Sequence, residues 1–237
     1  MTKRKSLDNS LTNRFSRKNS RRRKEGIKNL RVFFLIVCEG EKTEPNYFKS
    51  FPFQVKDFVF DLQFGGGGIS TVKVVDEAIR LRDKSSIQFD RVWAVFDKDS
   101  FSDENFNTAI FKGEQNGVNC AWSNEAFELW YILHFQYRNT PMPRNEYESA
   151  ISAIVNDKQG SKTYRYAKNA GDMYDVLQQY GDEDAAIRNA KRLYESYSDT
   201  AYAQHNPCTT VYKLVEELRG KCEKFNQEIK EKYEKGE

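Results

Sequence analysis

From Val32 to Cys38 every position is apolar. The run is too short for a buried helix and rich in β-formers, so it predicts a central strand covered on both faces. It ends at Glu39-Gly40. Thr43-Glu44-Pro45 then reads as a helix start, with an N-cap candidate, an acid in the first turn and a proline beside it. Tyr47, Phe48 and Phe51 give that helix its apolar face. Phe58 to Phe64 alternates as a second strand and Gly65–Gly68 follows as a flexible turn. Ser70 or Thr71 begins a helix with Val72, Val75 and Ile79 on one face. Arg91 to Phe96 forms a third strand, stopped by Asp97-Lys98-Asp99. Strand, helix, strand, helix, strand predicts a parallel sheet with crossover helices. A further strand is expected near Val118–Trp122, after which Ser123 caps a helix carrying Phe127, Leu129, Trp130, Leu133 and His134. Beyond residue 137 the pattern turns helical: Met173–Gln179, Glu183–Tyr197, and one stripe over Thr210–Lys232 in which Val211, Leu214, Leu218, Cys222, Phe225 and Ile229 recur at spacings of 3 and 4. That stripe suits core or partner packing. No internal repeat is present.

Charge changes this picture at one end. Residues 1–30 carry eleven Lys and Arg against Asp8 and Glu25, a net +9, which leaves 27 basic against 33 acidic residues in the rest. A basic tail therefore precedes a mildly acidic body. Residues 1–29 lack periodic hydrophobicity and are expected to be disordered, with the capacity to contact nucleic-acid phosphates. The division is then 1–29 tail, 30–136 α/β core and 137–237 mainly helical portion packed on it. With 237 residues, 17 Phe, 13 Tyr and 3 Trp, the chain can bury a substantial core. No stretch of 18 apolar residues exists, so no membrane association is expected and the reading is cytoplasmic. The four cysteines are widely spaced and there are only two histidines, which argues against a structural zinc site or a disulfide framework. No G-x-x-x-x-G-K-[ST] occurs, so ATP hydrolysis through a P-loop is excluded.

The chemistry concentrates at two strand ends, Cys38-Glu39-Gly40-Glu41 and Phe96-Asp97-Lys98-Asp99. In parallel α/β sheets functional groups gather beyond the carboxyl ends of strands. Asp97 and Asp99, two apart, project to one side of extended backbone, and Glu39 faces them from a neighbouring strand. Clustered carboxylates repel unless a cation neutralises them, and Mg²⁺ or Mn²⁺ prefers oxygen ligands. The constellation points to metal-dependent phosphoryl chemistry.

A glutamate after the first strand with D-x-D after the third resembles the Toprim domain of topoisomerases, bacterial primases and OLD-type nucleases. More closely, Ile36-Val37-Cys38-Glu39-Gly40-Glu41-Lys42-Thr43-Glu44-Pro45-Asn46-Tyr47-Phe48 resembles the opening motif of the RloB family. Ala121-Trp122-Ser123-Asn124-Glu125-Ala126-Phe127-Glu128-Leu129-Trp130 resembles its second motif, and Asn206-Pro207, Thr210-Val211 and Leu214-Val215 its C-terminal block. The resemblance spans roughly residues 31–219 and implies a Toprim/Rossmann-like, mostly parallel sheet flanked by helices. It also implies a nuclease used in bacterial restriction or abortive infection of phage, commonly beside an AAA- or ABC-type ATPase. Carried over, Glu39 takes the Toprim acid–base or ligand role, and Asp97 and Asp99 the metal-binding roles. Toprim enzymes often have a glycine shortly after the second aspartate; Ser100-Phe101-Ser102-Asp103 stands here instead, making Asp103 a possible extra acid.

Glu128, between Phe127 and Leu129, is a further catalytic candidate, because a carboxylate among aromatics is costly unless paired. Glu41 and Glu44 are weaker ligand candidates, Glu44 also serving the helix dipole, and Glu125 is read in the same dipole role. His134 is read as a core histidine. Lys42 is a candidate phosphate contact. Tyr166 and Lys168, from Lys162-Thr163-Tyr164-Arg165-Tyr166-Ala167-Lys168, are candidates for stacking on and neutralising a nucleic-acid strand. The leading expectation is a Mg²⁺- or Mn²⁺-dependent nuclease acting on DNA or RNA with an ATPase partner, possible homo-oligomerisation being left open. A non-catalytic nucleic-acid-binding subunit is the alternative. A topoisomerase lacks room for a strand-passage domain, and a primase would normally need the zinc module that the cysteines do not provide.

Overall fold

The computed structural model describes residues 29–68, 71–99 and 101–235. The expected basic tail, apart from its last residue, lies outside them, as does the Ser70 helix start. Six strands form one sheet: β1 (Leu30–Cys38), β2 (Gln54–Val55), β3 (Phe58–Gly66), β4 (Arg91–Asp97), β5 (Asn119–Asn124) and β6 (Cys208–Thr209), in the order β2-β3-β1-β4-β5-β6. β1 pairs in parallel with β3 and β4, and β4 with β5; the two-residue edge strands β2 and β6 are antiparallel. The helices are α1 (Thr43–Lys49), α2 (Thr71–Lys84), α3 (Asp103–Gln115), α4 (Glu128–Leu133), α5 (Tyr147–Gln159), α6 (Met173–Tyr180), α7 (Glu183–Glu195), α8 (Val211–Leu218) and α9 (Glu223–Lys235). This is the expected α/β class, with a mostly parallel sheet and helices on both sides.

The alternation along β1 explains the two layers. Val32, Phe34, Ile36 and Cys38 join one buried cluster with residues of α1 and of α4 through α9. Leu35 and Val37 point the other way, into a second cluster with residues of α2 and α3. Each strand residue is thus packed whichever way it points, which is why the run contains no polar residue.

Two local expectations need correction. Ser123 does not cap a helix. It lies inside β5, where its Oγ is 3.0 Å from the Thr209 Oγ1 of β6, and the helix opens only at Glu128. Pairing with β6 extends the strand past the point where the serine alone signals a cap. The stripe from Thr210 to Lys232 is two helices. Gly220 sits at φ 61°, with its N–H donating to Glu217 O at 2.9 Å and the Lys221 N–H donating to Glu216 O at 2.8 Å. That pattern of bonds closes a helix end, and the glycine accommodates the left-handed backbone it requires. The apolar spacing continues through the break because both helices cover the same face. The segment after Asn206-Pro207 leads into β6: Thr209 pairs with Ser123, and Thr210 Oγ1 accepts from the Trp122 N–H at 2.9 Å.

Candidate functional site

The chain leaves β1 toward β3 on one side and returns to β4 on the other, so the sheet's switch point lies between β1 and β4. Crevices at such points open beyond the carboxyl ends of the strands. Glu39 is the first residue after β1 and Asp97 the last of β4, so both stand at this crevice. They are joined directly: the Asp97 N–H donates to Glu39 Oε2 at 3.1 Å, while the Glu39 N–H donates to Val95 O at 2.9 Å. Asp99 follows one turn position later at φ 38°, a backbone region in which Asp is among the better-tolerated residues. Its N–H donates to Glu125 O at 3.3 Å, which anchors the turn to the chain leaving β5. The expected grouping of Glu39, Asp97 and Asp99 at adjacent strand ends is therefore present.

Glu128 enters from the start of α4 and is only 2 % exposed, with Oε1 accepting from the Tyr166 hydroxyl at 3.2 Å. Glu44, on α1, is also buried and lies against Gly40, where a Cβ would come within 2.2 Å of its Oε2. A cavity of about 350 Å³ is lined by Glu41, Lys42, Glu44, Asp97, Glu128 and Lys168, among others. Thr43 Oγ1 donates to Lys168 O at 2.5 Å and so ties the loop before α6 to the start of α1.

The remaining sequence candidates separate. Lys42 and Lys168 face the cavity, as a phosphate contact requires. Tyr166 is 5 % exposed and its hydroxyl donates to Glu128, so its ring is packed inward rather than offered as an open stacking platform. Asp103 is exposed, heads α3 and pairs with Lys98 at 3.1 Å, which accounts for it without the site. His134 is buried with Nδ1 2.9 Å from Trp130 O, and its ring meets Trp130 edge-on. Sequence reasoning missed Arg144. Its guanidinium pairs with Asp99 and lies 4.0 Å from Asp97 Oδ2. It is a lone arginine between prolines and α5, and no motif marks it.

The electrostatics reflect surplus negative charge. Burial pushes the Glu39 carboxyl up to about 7, with Glu44 and Asp99 adding to the rise against the pull of the Asp97 N–H and Arg144. Burial likewise raises Asp97 well above the usual carboxylate range, reinforced by Glu44 and Glu128. Glu44 moves the same way, chiefly by burial and then by Glu128. Among the described residues no three His, Cys, Asp or Glu side chains are arranged to hold a metal ion as they stand. The donor set nonetheless fits a hard divalent cation in its chemistry: the acids are all oxygen donors, and burial first, then their mutual repulsion, makes their charge unfavourable without a counter-ion.

A pH dependence follows. Glu39 binds its proton more tightly folded than unfolded, so its contribution to stability is full below about 4.5 and is lost as pH rises toward about 7. In EDTA, the Tm of wild type relative to Glu39→Gln is expected to fall between about pH 5 and about pH 7.5, by the equivalent of roughly 2 kcal/mol after allowing for partial solvent screening. Taking the difference removes His134, which burial lowers to about 4 and which acts in the opposite sense over the lower part of the window. A difference that stays flat across this range would contradict the burial of Glu39.

The fold and these acids define an α/β protein with a carboxylate cluster at the switch point of its sheet. Within that class, the chain belongs to the RloB-like protein family, whose model matches residues 34–218. The match runs from β1 to the last residue of α8. No curated protein and no solved structure matches the chain. No helix among the described residues is long and apolar enough to cross a membrane.

Proposed function

We propose that this chain is a metal-dependent, Toprim-type nuclease that hydrolyses phosphodiester bonds of DNA or RNA in bacterial defence against phage, working with an ATPase encoded nearby. The observation that carries the reading is that Glu39 and Asp97 stand at the strand ends of the β1–β4 switch point, with Asp99 two residues on, while Asp97 and buried Glu128 line the cavity there. The family resemblance supports the defence role and the partner. Mg²⁺ or Mn²⁺ held by Glu39, Asp97 and Asp99 would stabilise negative charge developing on the phosphoryl group.

The chain's own residues supply the rest. Lys42 and Lys168 at the cavity draw in the phosphate backbone and align it. Glu39 Oε2 is engaged by the Asp97 N–H, which leaves Oε1 as its donor toward a cation. The Tyr166 hydroxyl fixes the Glu128 carboxylate by one oxygen at the edge of the cavity that Glu128 lines. The Thr43–Lys168 bond holds the Lys168 loop against the start of α1 and so keeps Lys168 at the cavity.

The test is cleavage of single-stranded DNA, double-stranded DNA and tRNA by the purified chain in Mg²⁺, Mn²⁺ or EDTA, with and without the neighbouring ATPase. EDTA-sensitive cleavage is expected for one of these substrates. Binding without cleavage in every condition would instead make the chain a nucleic-acid-binding subunit.

A further inference from the structure

Arg144 opens the short 3₁₀ helix Arg144–Glu146, directly after Pro143 and before α5. Its side chain is 34 % exposed and lines the same cavity as Lys42, Glu44, Glu128 and Lys168. Its recorded ion pairs are with Asp97 and Asp99, two of the three acids assigned to the metal. Arg219 shows what an arginine built for permanence looks like here. It makes three hydrogen bonds to Glu183 and one to Tyr174, and it stacks over Phe51. Arg144 has no comparable anchorage and borders open space.

A guanidinium and a divalent cation cannot both sit on Asp97 and Asp99 without strong mutual repulsion. The guanidinium fork also matches a phosphate as well as it matches a carboxylate. We propose that Arg144 is a substrate-binding residue held in reserve. It neutralises Asp97 and Asp99 while no divalent cation is bound, gives them up when the cation arrives, and then grips a phosphate of the nucleic acid in the same cavity. This rests on the metal-dependent reading above and adds the order of events to it. Metal and phosphate then favour each other's binding, because the cation frees Arg144 from the aspartates and the phosphate draws Arg144 off them, and the coupling is reciprocal.

The experiment measures Mn²⁺ affinity, by the paramagnetic resonance of free Mn²⁺, for the full chain carrying Arg144→Gln, Arg144→Lys or the exposed control Arg188→Gln. Each is compared with wild type, with and without a cleavage-resistant phosphorothioate oligonucleotide. Arg144→Gln is expected to bind Mn²⁺ at least about tenfold more tightly than wild type, and Arg188→Gln to match wild type. The oligonucleotide should tighten Mn²⁺ binding in wild type and not in Arg144→Gln. Arg144→Lys keeps the charge without the fork, so it should hold Mn²⁺ as wild type does yet bind the oligonucleotide less tightly; it also serves as the readout should Arg144→Gln fail to fold. A folded Arg144→Gln that binds Mn²⁺ no more tightly than wild type overturns the proposal. The two readings fail separately. Wild-type Mn²⁺ binding that Asp97→Asn leaves unchanged overturns the metal assignment and this inference with it. Tighter Mn²⁺ binding by Arg144→Gln in a chain that cleaves nothing upholds the exchange and overturns the nuclease.

Discussion

Asp97→Asn is expected to lower metal-dependent cleavage by on the order of 10³-fold, while leaving the protein at least as stable as wild type in EDTA. The two halves of this result have one cause. Asp97 is buried at the end of β4 among Glu39, Glu44 and Glu128, and its raised pKa records how unfavourable its charge is there without a counter-ion. An amide of the same shape removes that charge at no cost in packing, so the folded state loses nothing and gains relief from repulsion. The same change removes a donor central to any cation at the switch point, and with it the stabilisation of charge on the phosphate. Activity and thermal unfolding measured on one preparation decide the matter. A variant that lost stability as a core truncation does would mark the Arg144 pairing as a structural clamp. A variant that kept its activity would remove Asp97 from the chemistry. Asp103→Asn, which touches only an exposed ion pair with Lys98 and a hydrogen bond from Gln204 at the head of α3, should change neither quantity.

The switch-point acids were legible because they interrupt apolar patterns. Val32 to Cys38 can be nothing but a strand packed on both faces, so the glutamate that follows it must stand at a strand end, and the same logic places Asp97 after Val92 to Phe96. What the pattern could not carry is the surroundings of those acids. Arg144 and Glu128 lie 47 and 31 residues beyond Asp97, and only the tertiary fold brings them into one cavity. Glu44 looked like a helix-dipole acid because its position in the first turn of α1 is the same whether its carboxylate faces water or Gly40. Tyr166 had the composition of a nucleic-acid contact, yet it is turned inward by its bond to Glu128, an orientation that alternating bases and aromatics cannot specify. The single stripe over α8 and α9 shows the converse: both helices pack on the same face, so their apolar spacing runs on across a break that only Gly220 marks.

Trp130→Ala is expected to destabilise the fold by about 3–5 kcal/mol, the range for removing a fully buried aromatic. Trp130 is completely buried in α4, and its Nε1–H donates to the Tyr47 hydroxyl of α1 at 2.8 Å. Tyr47 is itself buried and meets Phe48, Phe51 and Phe127 edge-on, so the truncation leaves both a void and an unpartnered hydroxyl. The bond joins the helix that carries Glu44 to the helix that Glu128 opens, and so sets how far apart those two acids lie. Trp130→Phe keeps most of the packing and gives up only the N–H; it should cost about 1–2 kcal/mol and retain cleavage well below its Tm. Glu128→Gln should behave in the opposite way, since the amide oxygen still accepts from Tyr166 while the charge at the cavity is gone: stability held, cleavage lost. Denaturant unfolding and cleavage rates on these three variants separate the Phe127-Glu128-Leu129-Trp130 segment into two parts. On this expectation its tryptophan holds α1 against α4, and the proposed catalytic role falls to its glutamate. Equal loss of stability in Glu128→Gln and Trp130→Ala would return Glu128 to the packing of α4 and remove it from the chemistry.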